Sequence, residues 1–138
     1  MAIAQGLCSS FKLESWQAIH DLSTDVLKLA LYKSTADINA STTVYITTDE
    51  VVGAGYTAGG VTLAGQSLVL GSGVAYLTFN NPAWTGTSFL TRAALIYNST
   101  KANRAIAVLD FGADKTASGN FTIQLPTAGP TTAVIRME

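Results

Sequence analysis

The chain has 138 residues, a net charge of −1, and only 12% charged against 48% hydrophobic residues. That length suits one domain able to bury a core of its own, and the apolar content excludes disorder. The eight basic residues are scattered singly, which excludes a stripe able to neutralise several phosphates, so nucleic acid is not an expected partner.

Residues 1–10 form an expected N-terminal arm. They lack the basic region and apolar core of an export signal, and no later stretch approaches the length of apolar chain needed to cross a bilayer, so synthesis in a cytoplasm and no membrane partner are expected. From Ser10 to about Leu22, Leu13, Trp16, Ile19 and Leu22 recur at a spacing of three, predicting a short helix with these residues on one face and Ser9 or Ser10 as cap. Cys8, the single cysteine, excludes an internal disulfide and a multi-thiolate metal site.

After Thr24 the pattern becomes strands broken by Gly, Asn, Pro and Thr. Residues 26–33 place Leu27, Leu29 and Leu31 on one side, with Lys28 and Tyr32 on the other. Further strands are expected at 42–47, 61–70, 74–79, 88–97, 104–111, 119–125 and 131–137. Phe121, Ile123 and Leu125 alternate strictly with polar residues, so one face there is wet. Residues 105–109 are apolar on both sides and belong in the centre of a sheet. Gly71-Ser72-Gly73 reads as a tight hairpin turn. About eight strands and one short helix predict an all-β domain over 1–138, either a two-sheet sandwich or a jelly-roll-like barrel.

Chemistry is sparse. His20 is the only histidine, with Glu14, Asp21 and Asp25 near it in sequence; an acid–base role needs a carboxylate and a pocket beside it. No G-x-S-x-G elbow occurs, and the glycines at 53, 55, 59 and 60 lead into a strand, not into a helix whose N-terminus could hold phosphate. Asp110 and Asp114 flank Gly112 at a spacing that could meet a cation, although calcium wants six or more oxygens. The expectation is therefore no catalytic residue, no cofactor, no metal and no small-molecule substrate. Asn39, Asn98 and Asn120 head glycosylation patterns that have meaning only on a secretory route.

Low charge suits a surface covered by partners. Glycine, proline and terminus positions nominate three contact segments: the arm with Ala2, Ile3 and Leu7, the loop with Gly55, Tyr56 and Thr57, and the segment with Pro82 and Trp84. Removing residues 2–10 is expected to leave the fold intact. Trp84 or Tyr56 could instead offer a stacking platform to a glycan; as core residues they would fill the interior.

Several blocks carry a resemblance. Phe11-Lys12-Leu13-Glu14, Ile19-His20-Asp21-Leu22 and Asp25-Val26-Leu27-Lys28-Leu29-Ala30-Leu31-Tyr32 open the series. Gly55-Tyr56-Thr57-Ala58-Gly59-Gly60, residues 84–89, Ala94-Leu95-Ile96-Tyr97-Asn98, Leu109-Asp110-Phe111-Gly112 and Gly119-Asn120-Phe121-Thr122-Ile123 follow. In this order they resemble a family of small structural proteins of tailed bacteriophages. The resemblance implies a virion protein, foremost a capsid cement or decoration subunit bound to the major capsid protein. A tail or head–tail joining part is the rival. It implies no catalytic residues, and a homo-oligomer, dimer or trimer, suits such an assembly.

Overall fold

The computed structural model describes residues 3–126, 129 and 132–137. Its elements in chain order are β1 (Gly6–Leu7), α1 (Ser9–Trp16), β2 (Leu27–Tyr32), β3 (Val61–Thr62), β4 (Ser67–Gly71), β5 (Val74–Thr78), β6 (Ala83–Asn98), β7 (Arg104–Thr122) and β8 (Ile135–Met137). They form an all-β sandwich with one short helix: a five-stranded sheet in the order β1-β7-β6-β2-β3 and a three-stranded sheet in the order β4-β5-β8, with every pairing antiparallel.

The long β6–β7 hairpin is the spine. Near its closed end, residues 93–98 and 105–108 are buried throughout, as expected for strands covered on both faces. Leu27, Leu29 and Leu31 of β2 pair beside them, and Ala30 and Tyr32 on the opposite face are buried as well. Farther along, Phe111 to Asp114 on β7 oppose the single residue Arg92, with Gly112 at φ +82°. The bulge kinks the hairpin and is pinned by the Arg92–Asp110 ion pair at 2.9 Å. Beyond it one face is interior (Trp84, Thr87, Phe89, Ala117) and the other open (Ser88, Leu90, Thr116, Ser118).

Several sequence expectations change; the strands expected at 104–111 and 119–125 are one, β7, and among the described residues the strand expected at 131–137 is confined to Ile135–Met137. The helix is eight residues long and buries Phe11 and Glu14, while Leu13 and Trp16 are 58% and 88% exposed. A spacing of three says which residues share a face, not which face turns inward; here the ion pair from Arg104 holds Glu14 inside. Cys8 occupies the N-cap position without a side-chain capping bond, its thiol donating instead to Asn39 O, and neither Ser9 nor Ser10 caps the helix. Residues 61–70 divide between two sheets: Gly65 sits at φ +68°, with the Asn80 side chain 2.4 Å from where a Cβ would stand, and the chain changes sheet there. Residues 42–47 make only an isolated bridge from Val44 to Arg104. The Tyr45 amide bonds to Asn103 O and Thr43 O accepts from Ala105, so the segment runs past the hairpin turn without a longer ladder.

The described part of the N-terminal arm is not free. Leu7 pairs with Ala107, Ala4 N–H donates to Ile38 O, Cys8 N–H donates to Ile106 O, and Cys8 is wholly buried. Removing residues 2–10 would strip an edge strand and a core side chain, so the expectation of an intact fold is reversed.

Candidate interaction surface

Two interior polar clusters hold the loops that shape the surface. The first surrounds Glu50, a carboxylate 5% exposed. Its Oε1 accepts from the Tyr45 hydroxyl at 2.6 Å; its Oε2 accepts from the Tyr56 hydroxyl at 2.5 Å and from Gly59 N–H at 2.7 Å. Tyr56 also accepts from Leu31 N–H, and the Tyr97 hydroxyl donates to Gly59 O. Tyr45 and Tyr97 stack with centroids 4.7 Å apart. Burial and the neighbouring Glu50 charge push the phenols of Tyr45 and Tyr56 well above their ordinary values, so both stay protonated donors. A buried carboxylate needs such donors to offset its lost hydration. The effect is to lock residues 45–60 onto β2 and β6.

The second cluster joins α1 to the hairpin turn. Glu14 Oε2 accepts from Arg104 Nη1 at 2.7 Å, and Glu14 Oε1 accepts from His20 Nε2 at 2.9 Å. Asn98 Nδ2 donates to His20 Nδ1 at 3.0 Å and to Asp25 Oδ2 at 2.7 Å. Asn98 Oδ1 accepts from the amides of Thr100 and Lys101. A neutral imidazole protonated on Nε2 satisfies every one of these bonds. Burial opposes the Glu14 charge, but the hydrogen bonds from His20 and Arg104 outweigh it and hold the carboxyl below its ordinary range. His20 thus has the carboxylate partner that acid–base chemistry would use, yet its side chain is 1% exposed and both nitrogens are occupied. The geometry is that of a clamp between helix and turn.

The expected contact residues are distributed unevenly. Ala2 lies outside the described residues. Ile3 packs half-buried against the core, and Leu7 is a half-buried strand residue. Gly55 and Thr57 are exposed, and Gly55, at φ +79°, passes so close to β6 that a Cβ would stand 2.7 Å from Thr85 O. Tyr56 turns its hydroxyl inward to Glu50. Pro82 is buried, and Trp84 is 5% exposed against Phe121, ring centroids 5.8 Å apart. The exposure inferred for Pro82 and Trp84 is corrected, and that for Tyr56 in part, since it is half-buried: a register break between Trp84 and Thr87, with Gly86 at φ +60°, brings Trp84 onto the same interior face of β6 as Phe89, and Trp84 presents no open ring to a sugar. Asp110 is committed to Arg92 and to Gly112 N–H, which hold its carboxyl below the ordinary range, and among the described residues no group of three or more His, Cys, Asp or Glu could hold a metal. Among the described residues no helix is long and apolar enough to cross a membrane.

A different surface emerges from the distribution of charge. Between Glu50 and Arg92, and again between Lys115 and Arg136, the chain has no Asp, Glu, Lys, Arg or His. Those stretches supply β3, β4, β5 and the far half of the β6–β7 hairpin, while most ionisable groups gather around α1, β2, the hairpin turn and the bulge, with Arg136 on β8 opposite Tyr76. The uncharged stretches also carry exposed large apolar side chains: Leu68, Val69 and Leu70, and, beside Lys33 and Asp114 in one groove, Val52 and Leu90. Leu68 and Leu70 lie on β4, which ends its sheet. These residues escape a reading based on turn composition, although the gaps in charge are plain in the sequence once sought. No family model, curated protein or solved structure matches the chain.

Proposed function

We propose that this chain is a structural subunit of a tailed-bacteriophage particle, a cement or decoration protein that works by contact and not by catalysis. It is made in the host cytoplasm, assembles with copies of itself, and binds across joints between major capsid proteins. The observation that carries the reading is the uncharged region bearing exposed Leu68, Val69 and Leu70. A free protein generally keeps its surface charged and free of large apolar patches, whereas a surface destined to be covered loses charge, because burying an ion is costly. The ordered series of blocks resembling phage structural proteins supplies the setting. Many modest contacts repeated over a symmetric shell then add up to strong retention without any one being tight. Nucleic acid, membrane, cofactor and small-molecule substrate have no role in this reading.

Quantitative mass spectrometry of purified particles of the phage that encodes the chain tests it. The expected result is the chain in a fixed stoichiometric ratio to the major capsid protein; particles devoid of it would overturn the proposal.

A further inference from the structure

We propose that β4 pairs antiparallel with β4 of a second copy of this chain about a two-fold axis at Val69, joining two three-stranded sheets into one of six strands. The proposal deepens the reading of the chain as a docked subunit by naming one partner and its register.

The argument starts at the turn. β4 and β5 are joined by Ser72 and Gly73, both at positive φ, and the pair closing this two-residue turn is Gly71 with Val74. In such a hairpin the closing pair is hydrogen-bonded and the bonding alternates along the ladder. Val69 with Tyr76 and Ser67 with Thr78 are therefore also bonded pairs, and the backbone groups of Leu68 and Leu70 point away from β5, along the sheet edge. Among the described residues no other strand pairs with that edge. Only another strand satisfies such a row of amides and carbonyls in regular fashion.

The side chains indicate which strand. Leu68 stands opposite Leu77, and Leu77 opposite Ile135, so all three share one face. Leu77 and Ile135 are buried in the core, whereas Leu68 and Leu70 on that same face are 51% and 78% exposed. The core-facing layer thus runs out past its cover. Two copies related about Val69 place Leu68 of each opposite Leu70 of the other. Both are hydrogen-bonded pairs, and a quartet of leucines then bridges the two cores on one face. No residue of β4 is ionisable, so identical strands meet without repulsion. The strand also lacks the lysine, proline or bulge that guards a free edge.

Cysteine cross-linking tests the register. In this arrangement the two Val69 residues form a non-hydrogen-bonded pair with Cα atoms about 4.5 Å apart, within disulfide reach. The two Ser67 residues are offset by four positions, roughly 13 Å along the strands, beyond reach. Native Cys8 is fully buried and does not compete. Val69→Cys is expected to give a covalent dimer under mild oxidation, and Ser67→Cys to pair without forming a cross-link. Sedimentation should show a wild-type dimer whose dissociation constant rises about tenfold or more in Val69→Lys. Thermal melts of each variant verify the fold. Equal cross-linking of both cysteine variants, cross-linking of neither, or a wild type monomeric at roughly 0.1 mM would overturn the proposal. A monomer still present in virions would sink the pairing alone; a dimer absent from virions would sink only the particle reading.

Discussion

Replacing Glu50 separates the hydrogen-bonding role of its buried carboxylate from its charge. Glu50→Ala strands three donors: the Tyr45 and Tyr56 hydroxyls and the Gly59 amide. Bonds to an ionised group contribute about 1.5–3 kcal/mol each, which taken singly would sum to several kcal/mol. One correction lowers the figure: removing the carboxylate also removes the cost of burying it. The expected net loss is about 3–5 kcal/mol, a large share of the stability of a domain this size. Glu50→Gln should behave differently. Its carbonyl can serve Tyr56 and Gly59, while its amide donates to a Tyr45 hydroxyl that rotates to accept, so the loss is about 1 kcal/mol or less. Urea unfolding followed by far-ultraviolet circular dichroism reads both values, and thermal melts should place the Ala variant roughly 10–20 °C below wild type. An Ala variant within about 1 kcal/mol of wild type would refute the view that this cluster locks residues 45–60 in place. A Gln variant as damaged as Ala would show that the charge itself is indispensable.

Trp84→Ala should cost about 3–5 kcal/mol in the same unfolding assay, because a large ring packed on Phe121 is lost from the interior; a loss under about 1 kcal/mol would mean that the ring is not packed there. Gly60→Ala should fail to give soluble folded protein, since the new Cβ would stand 1.8 Å from Leu29 O at a φ of +80°; a normal melt would contradict the close approach of loop and strand. Glu14 titrates lower in the folded chain than its ordinary 4.5, so the unfolded chain takes up its proton first as pH falls. Its stabilisation is complete above about pH 4.5 and is lost as pH falls through the folded value, so Glu14→Gln should be less stable at pH 7 and show a shallower acid limb below pH 4.5. Parallel acid limbs for the two proteins would exclude the clamp as their source. Burial pushes the Cys8 thiol up to about 11, so a thiol reagent at pH 8 should label it only after denaturant is added; prompt labelling of the native protein would place it at the surface.

Legibility in the sequence followed the range of the interaction involved. Alternation of Phe121, Ile123 and Leu125 with polar neighbours and the Gly71-Ser72-Gly73 turn are set within a few residues, and both hold in the structure. Of the doubly apolar run at 105–109, residues 105–108 are likewise buried between β1 and β6, while Leu109 is half-buried. What failed depends on distant partners. The inward face of α1 is decided by Arg104, ninety positions from Glu14, against the apolar claim of Leu13 and Trp16. The division of residues 61–70 depends on Asn80 meeting Gly65. Nothing in the spacing of Tyr45, Glu50 and Tyr56 announces a shared centre. The burial of Pro82 and Trp84 escapes the sequence for another reason: glycine and proline mark turns, but a residue at or beside a turn can still be buried, as both of these are. The charge-free stretches carry the contact surface proposed above, on the argument that the electrostatic cost of burial acts on composition whatever the local fold.

Electron cryomicroscopy of the assembled particle tests the central claim most directly, because it shows which surface of the subunit is covered. The account predicts that β4, β5 and the far half of the β6–β7 hairpin lie against neighbouring chains, with the charged end around α1 and the hairpin turn facing solvent. A subunit docked through its charged end, with Leu68, Val69 and Leu70 open to water, would contradict it.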